Sequence, residues 1–312
     1  MDPETIVITS PTKIITVYGA DSYFGAHMVK HLDHTDQMVY GFSQNKDLNF
    51  DEEPMLVQGR EKITFEPAPI VSDWIVVCLD PGIGVNTYFS RMKHLCNYLI
   101  EQEFFGRVCF VSSANICQSS YKEISEDTVV CPRNETDLAL AIGENFLNVM
   151  LHHKKNQAGT LVVRVGVPYG NEVGLSDTTG MINRLIQKAA AGEALEVVKP
   201  TEVKRSCTHI YDICEAIIEL LATGDLCPFL VNIPGETLTI QDIITTVTER
   251  FPVDINYRPC TNDDQDFFIG DQHLSDEYFK ENSDYERKIN FKKWFNDTFT
   301  GEFTKSRPCI SL

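Results

Sequence analysis

The sequence lacks any hydrophobic run near the ~20 residues that span a bilayer. Its opening residues, Met1 to Lys13, also lack a basic stretch followed by an apolar one. Neither a membrane span nor a secretory signal is expected, and a cytoplasmic location is. Positive charge is scarce: 27 Lys and Arg stand against 45 Asp and Glu, for a formal net charge of -18. A field of that sign repels nucleic acid and anionic lipid, which removes both as expected partners. None of the ten cysteines forms a Cys-x-x-Cys pair. Free thiols in a reducing compartment are therefore expected, and a clustered zinc site is not. Internal repeats, low-complexity tracts and an evident linker are missing too.

What is present suits an ordinary globule, 43% apolar and 23% charged over 312 residues. That length accommodates a nucleotide-binding domain with a smaller lobe. Strands are expected at Ile14–Tyr18, Met38–Phe42, Trp74–Leu79, Arg107–Ser113 and Gly159–Val165, with a weak one near Ile63–Phe65. Helices are expected from Gly25 to about Leu32, Val85 to Gln102 and Thr136 to His153. The strands are continuous apolar runs, and they alternate with helices. Both features predict a parallel sheet covered on two faces. Right-handed crossovers make it a doubly wound, Rossmann-type α/β sheet, with the ligand crevice at the carboxyl ends of the strands. Beyond residue 170 the pattern loosens. Helices are expected at Thr179–Ala191, Ile210–Leu221, Ile240–Phe251 and Phe291–Thr298, with a short strand at Leu195–Val198. The division predicted is a Rossmann core over 1–170 and a smaller C-terminal substrate lobe over 171–312, interleaved with core elements.

The first strand runs into Gly19-Ala20-Asp21-Ser22-Tyr23-Phe24-Gly25. A glycine turn between strand and helix lets a phosphate approach the helix N-terminus, where backbone N–H groups and the helix dipole hold it. Gly19 makes the tight turn, and Gly25 permits close helix–strand packing. Ser22 stands where a glycine best suits the pyrophosphate. Its Cβ intrudes, although its hydroxyl has a proton to give a phosphate oxygen. Tyr23 and Phe24 open the helix and complete the candidate cofactor loop. An NAD site usually has Asp or Glu at the end of the second strand, on the ribose hydroxyls. Here Phe42 leads into Ser43-Gln44-Asn45-Lys46, with no carboxylate. Ser43, Asn45 and Lys46 suit a 2′-phosphate, so NADP is favoured slightly over NAD.

The order of these pieces resembles the extended short-chain dehydrogenase/reductase family, in particular its nucleotide-sugar epimerase/dehydratase branch, over nearly the whole chain. Gly19, Ser22 and Gly25 fall on the family's three-glycine spacing. Phe110–Ile116 is similar to its fifth-strand motif, with Ser113 on the catalytic Ser/Thr position. Leu161–Gly170 resembles the sixth-strand segment. Lys204–Asp212 and Val231–Ile233 resemble elements of the substrate lobe. The resemblance implies a nicotinamide cofactor, a nucleotide-sugar ligand and substrate-binding roles for Arg205 and Asn183. It also implies a dimer through Val85–Gln102 and Thr136–His153, for which Leu95, Leu99, Leu147 and Met150 are candidates, although core packing explains them equally well.

The departures bear on activity. The family's Tyr-x-x-x-Lys pair is expected four residues after a proline and four before a glutamate. Pro132 and Glu144 agree in placing Thr136 at the Tyr position and Leu140 at the Lys position. An aliphatic hydroxyl is too weak an acid to replace an activated phenol, and Leu140 supplies neither charge nor a hydrogen bond. Val167 stands where relatives place an Asn. Three functions remain open: a degenerate binding, regulatory or partner subunit, paired with itself or an active relative; an active enzyme using Ser113 with Tyr121 as a replacement acid beside Lys122; or a scaffold without cofactor, blocked by Ser22. His209 and Asp212 are expected to be structural at a helix start.

Overall fold

The computed structural model describes residues 13–43, 72–118, 123–152, 159–170, 180–223, 228–261 and 270–299. The weak strand expected near Ile63–Phe65 lies outside them.

A six-stranded, all-parallel sheet forms the centre. Its strands are β1 (Ile14–Tyr18), β2 (Met38–Phe42), β3 (Trp74–Val77), β4 (Arg107–Ser113), β5 (Gly159–Val165) and β9 (Leu230–Ile233), in the spatial order β2-β1-β3-β4-β5-β9. Its chain direction reverses its order of filling at β1, which puts a topological switch point beside the glycine turn. Alternate residues of each strand feed two cores. On one face Ile15, Val17, Val76, Val111 and Val163 meet α1 (Tyr23–Asp33) and α5 (Ile210–Ala222). On the other, Ile75, Val77, Val108, Phe110 and Val162 meet α2 (Val85–Glu101) and α3 (Glu135–Phe146). Burial on both faces is why these strands read as unbroken apolar runs.

Helix α3 is regular only to Phe146 and continues as a π-helical turn over Leu147–His152, so the expected helix to His153 changes its hydrogen bonding midway. Leu95, Leu99 and Leu147 are 1%, 0% and 0% exposed, and Met150 is partly buried against the same core. As contact residues for a second chain the three leucines are therefore corrected: they hold α2 and α3 to the sheet.

A second, three-stranded sheet contains β6 (Val167–Tyr169), β8 (Lys204–His209) and β10 (Glu236–Thr239), with β8 in the middle. Strand β7 (Leu195–Lys199) pairs in parallel with β11 (Ile255–Pro259). Helices α4 (Met181–Ala190), α6 (Ile240–Arg250) and α8 (Phe291–Thr298) close a third core, which includes Ile182, Ile186, Val247 and Phe295. The short α7 (Glu277–Asn282) was not expected from the sequence.

His209 and Asp212 are both structural at the start of α5. The His209 ring caps the helix by accepting from the Tyr211 N–H at 3.2 Å. The Asp212 carboxylate accepts from the Tyr285 hydroxyl at 2.5 Å and from the backbone of Lys288 and Ile289, both at 3.0 Å. It staples the C-terminal stretch to the fold.

Candidate active site

The glycine loop is built by close packing. Gly19 has φ +84, a conformation that side chains rarely adopt, and a Cβ there would lie 2.6 Å from the Cys78 carbonyl oxygen. A Cβ on Gly25 would fall 1.9 Å from the Gly19 carbonyl oxygen, so α1 sits against the end of β1 as tightly as backbones allow. This is a cradle only glycine permits, and it fits a dinucleotide pyrophosphate.

Ser22 differs from expectation. Its hydroxyl donates to the Cys78 carbonyl at 2.6 Å and accepts from the Gly25 N–H at 3.0 Å. The hydroxyl carries one proton, and that proton is committed inward, so Ser22 caps α1 and is not a phosphate donor. The same geometry removes the hydroxyl as an obstacle. The Gly19 and Ala20 amides donate to the Phe42 carbonyl at 2.8 and 2.9 Å, which pins the loop to the end of β2. Asp21 follows, half-buried, and accepts from the Ser43 hydroxyl at 2.6 Å. Lys46 and Asn45, the other candidates for a 2′-phosphate, lie outside the described residues.

Tyr23 ties the loop to the second sheet. Its hydroxyl donates to the Gly170 carbonyl at 2.7 Å. Asn183, 4% exposed, closes the same knot: its amide donates to that carbonyl at 3.1 Å and accepts from the Gly170 N–H at 3.1 Å. The structure thus joins two separately predicted site residues, Tyr23 and Asn183, and gives Asn183 a structural task. Phe24 is partly buried and packs against the first core.

At the other end of the crevice, Ser113 is the last residue of β4. Its hydroxyl accepts from the Asn115 N–H at 3.2 Å and caps a short 3-10 turn, Ala114–Ile116. Tyr121 and Lys122 lie outside the described residues. Helix α3 starts at an Asn134 cap, whose side chain accepts from the Asp137 N–H at 2.9 Å. Thr136 is exposed on its first turn, and Leu140, one turn on, is 6% exposed within the second core. Neither position presents a phenol or an ammonium.

Glu144, which served as a sequence anchor, forms a buried bidentate ion pair. Arg164 of β5 donates from Nε at 2.9 Å and from Nη2 at 2.7 Å to its two oxygens. Sequence reasoning missed this pair. The available signal was an arginine inside an otherwise apolar strand, which needs a carboxylate to be buried. Beyond it, the Asn232 N–H of β9 donates to Glu126 at 2.7 Å. Burial raises the Glu126 carboxyl above its usual range, partly offset by that bond.

Arg205 on β8 is 0% exposed, so it is not a surface residue. Its Nη1 donates to the Lys204 and Gly270 carbonyls at 2.7 and 2.9 Å. Burial pulls its guanidinium down to about 10, against the pull of Cys207 and Asp271. The cysteines among the described residues are free. Burial pushes Cys96 up to about 12 and Cys117 to about 11, which makes both inert as nucleophiles at neutral pH. Among the described residues, no group of three or more His, Cys, Asp or Glu could hold a metal ion, and no helix is long and apolar enough to cross a membrane.

No curated protein matches the sequence. Solved structures share the fold at low identity. The dTDP-glucose 4,6-dehydratase from Bacillus anthracis, in complex with NAD, is 16% identical with TM-score 0.74, covering 92% of this chain and 95% of that one. The UDP-glucose 4-epimerase from Thermotoga maritima, with UDP-glucose, is 16% identical with TM-score 0.71, covering 90% and 96%. RMD from Pseudomonas aeruginosa, complexed with NADPH, is 15% identical with TM-score 0.71, covering 91% and 95%. The model of one family, described as the NAD dependent epimerase/dehydratase family, matches residues 79–233. Those residues run from just after β3 to the end of β9 and are similar to that family, and the chain carries the Rossmann-type fold of these solved structures.

Proposed function

We propose that this protein binds a nicotinamide dinucleotide and a nucleotide sugar but is catalytically degenerate, acting as a binding, regulatory or partner subunit. One observation carries the reading: the first turns of α3 offer an exposed Thr136 and a buried Leu140 where hydride transfer needs an acid of lowered pKa and a cation. Dinucleotide binding is supported by the intact glycine cradle at Gly19 and Gly25 and by the NAD and NADPH in the structural neighbours. A nucleotide-sugar ligand is supported by the UDP-glucose of the Thermotoga maritima enzyme. In this reading residues 1–170 hold the cofactor, and the later lobe holds the sugar nucleotide, with Arg205 buried beneath it as a structural residue. When bound, the dinucleotide supplies a hydride acceptor. What this chain withholds is the proton transfer that must accompany hydride loss, a help worth ~10²–10⁴-fold in rate.

The test pairs binding with turnover. NAD, NADP, UDP-glucose and dTDP-glucose are screened by thermal shift on the full chain, and the bound sugar nucleotides are then assayed. Stabilisation by a dinucleotide with no detectable turnover is expected. Turnover that Tyr121→Phe abolishes would establish the rearranged-site alternative, and no dinucleotide shift at all would establish the scaffold.

The partner surface we propose is the outer side of α2 and α3. Phe89 is 44% exposed, Leu138 44% and Val149 54%, and the Phe89 ring meets Phe146 edge-on across the two helices. Such side chains on neighbouring helices suit a second helix pair, from a copy of this chain or an active relative. Leu138→Asp is expected to halve the mass of a homodimer in sedimentation equilibrium while leaving the fold intact by circular dichroism.

A further inference from the structure

The end of β2 has no acidic residue of its own, yet the structure brings a carboxylate there from the glycine loop. Two hydrogen bonds from the Gly19 and Ala20 amides to the Phe42 carbonyl hold the loop against the strand end. They leave Asp21 with little freedom of position, and its Oδ2 accepts from the Ser43 hydroxyl at 2.6 Å. In a doubly wound sheet the adenosine ribose lies at this spot, beside the carboxyl end of the second strand, and an acidic side chain there binds the ribose hydroxyls.

From this arrangement we infer that Asp21 selects the cofactor: its carboxylate accepts from the adenosine ribose hydroxyls of NAD and repels the 2′-phosphate of NADP. This presupposes the dinucleotide site proposed above.

Three points carry the assignment. An ionised carboxylate has about four lone-pair sites, so accepting from Ser43 does not exhaust it. Asp21 is half-buried, which leaves its side chain within reach of a ligand and its charge less screened than on an open surface. Ser43 has a single proton, and that proton is given to Asp21, so Ser43 is no longer a donor for a 2′-phosphate. The preference for NADP drawn from Ser43 and Lys46 in the sequence therefore loses one of its supports, and a fixed negative charge takes that place.

The experiment is isothermal titration of the full chain with NAD and with NADP, for the native sequence, Asp21→Asn and Asp21→Ser, with circular dichroism to verify each fold. The native chain is expected to bind NAD at least about tenfold more tightly than NADP, as one like-charge repulsion at a half-buried site implies. Asp21→Asn should bring the two within about threefold, mainly by tightening NADP. Equal affinity of the native chain for both, or a preference unchanged in both folded variants, overturns the role of Asp21 and leaves the dinucleotide site standing. Binding of neither dinucleotide by the native chain overturns that site, and this inference with it. The native-chain ratio decides the matter even if a variant does not fold.

Discussion

Glu144→Ala is expected to cost about 3–5 kcal/mol of folding stability, read as a lower midpoint in urea unfolding followed by circular dichroism. The carboxylate is the bidentate acceptor for Arg164, and the side chains are 10% and 3% exposed. Arg164 sits on the fifth strand of a sheet covered on both faces, so the guanidinium has no route to water once its partner is gone. Its Nη1 is already buried without a hydrogen-bond partner in the structure, which leaves it dependent on the two bonds to Glu144. The cost comes mainly from stranding a charge, so removing both charges should recover most of it. Glu144→Leu combined with Arg164→Met is expected to fall within about 1–2 kcal/mol of the native chain. A single-variant loss under 1 kcal/mol would mean that water reaches Arg164 and that α3 is not locked to the sheet.

Gly25→Ala is expected to be at least as damaging, about 3 kcal/mol or more, and to abolish dinucleotide binding if folded protein remains. The new Cβ would stand 1.9 Å from the Gly19 carbonyl oxygen and 2.6 Å from its carbon. Both are backbone atoms, so no side chain can swing aside, and relief requires α1 to lift from β1. That movement breaks the loop geometry on which a phosphate site depends, so stability and binding fail together. Gly159→Ala is the control. Its nearest neighbour is the Arg107 Cγ at 3.3 Å, the flexible stem of a side chain, and the change should stay within about 1 kcal/mol. Equal, small losses at both positions would show that Gly25 is not a packing contact.

How far the sequence foretold this structure depends on how local each cause is. Five of the six central strands follow from their apolar runs, whereas the four-residue β9 was not expected; the strand that begins at Arg107 and the helix at Phe291–Thr298 have the bounds expected of them. Both are decided by side chains within one element. Helix α7 is six residues long, too short for a periodic pattern, and it was missed. The glycine spacing located the loop but not the Ser22 rotamer, because the Cys78 carbonyl that receives its proton lies 56 positions away. Arg205 shows the same limit. A lone arginine in sequence reads as surface or phosphate ligand, and the Gly270 carbonyl that receives it belongs to a segment 65 positions on. The α2 leucines had a helical period that suits a core and an interface alike, and only the sheet beneath them decides between the two.

The position of β9 has a consequence for how the chain is made. It supplies the outer edge of the six-stranded sheet, yet β6, α4, β7, β8 and α5 are all synthesised between it and its neighbour β5. While that stretch emerges from the ribosome, β5 carries an unpaired row of backbone donors and acceptors, a ready template for foreign strands. A fragment that stops near residue 170 would keep this edge uncovered for good, and would be expected to aggregate although every residue of the glycine loop is in it.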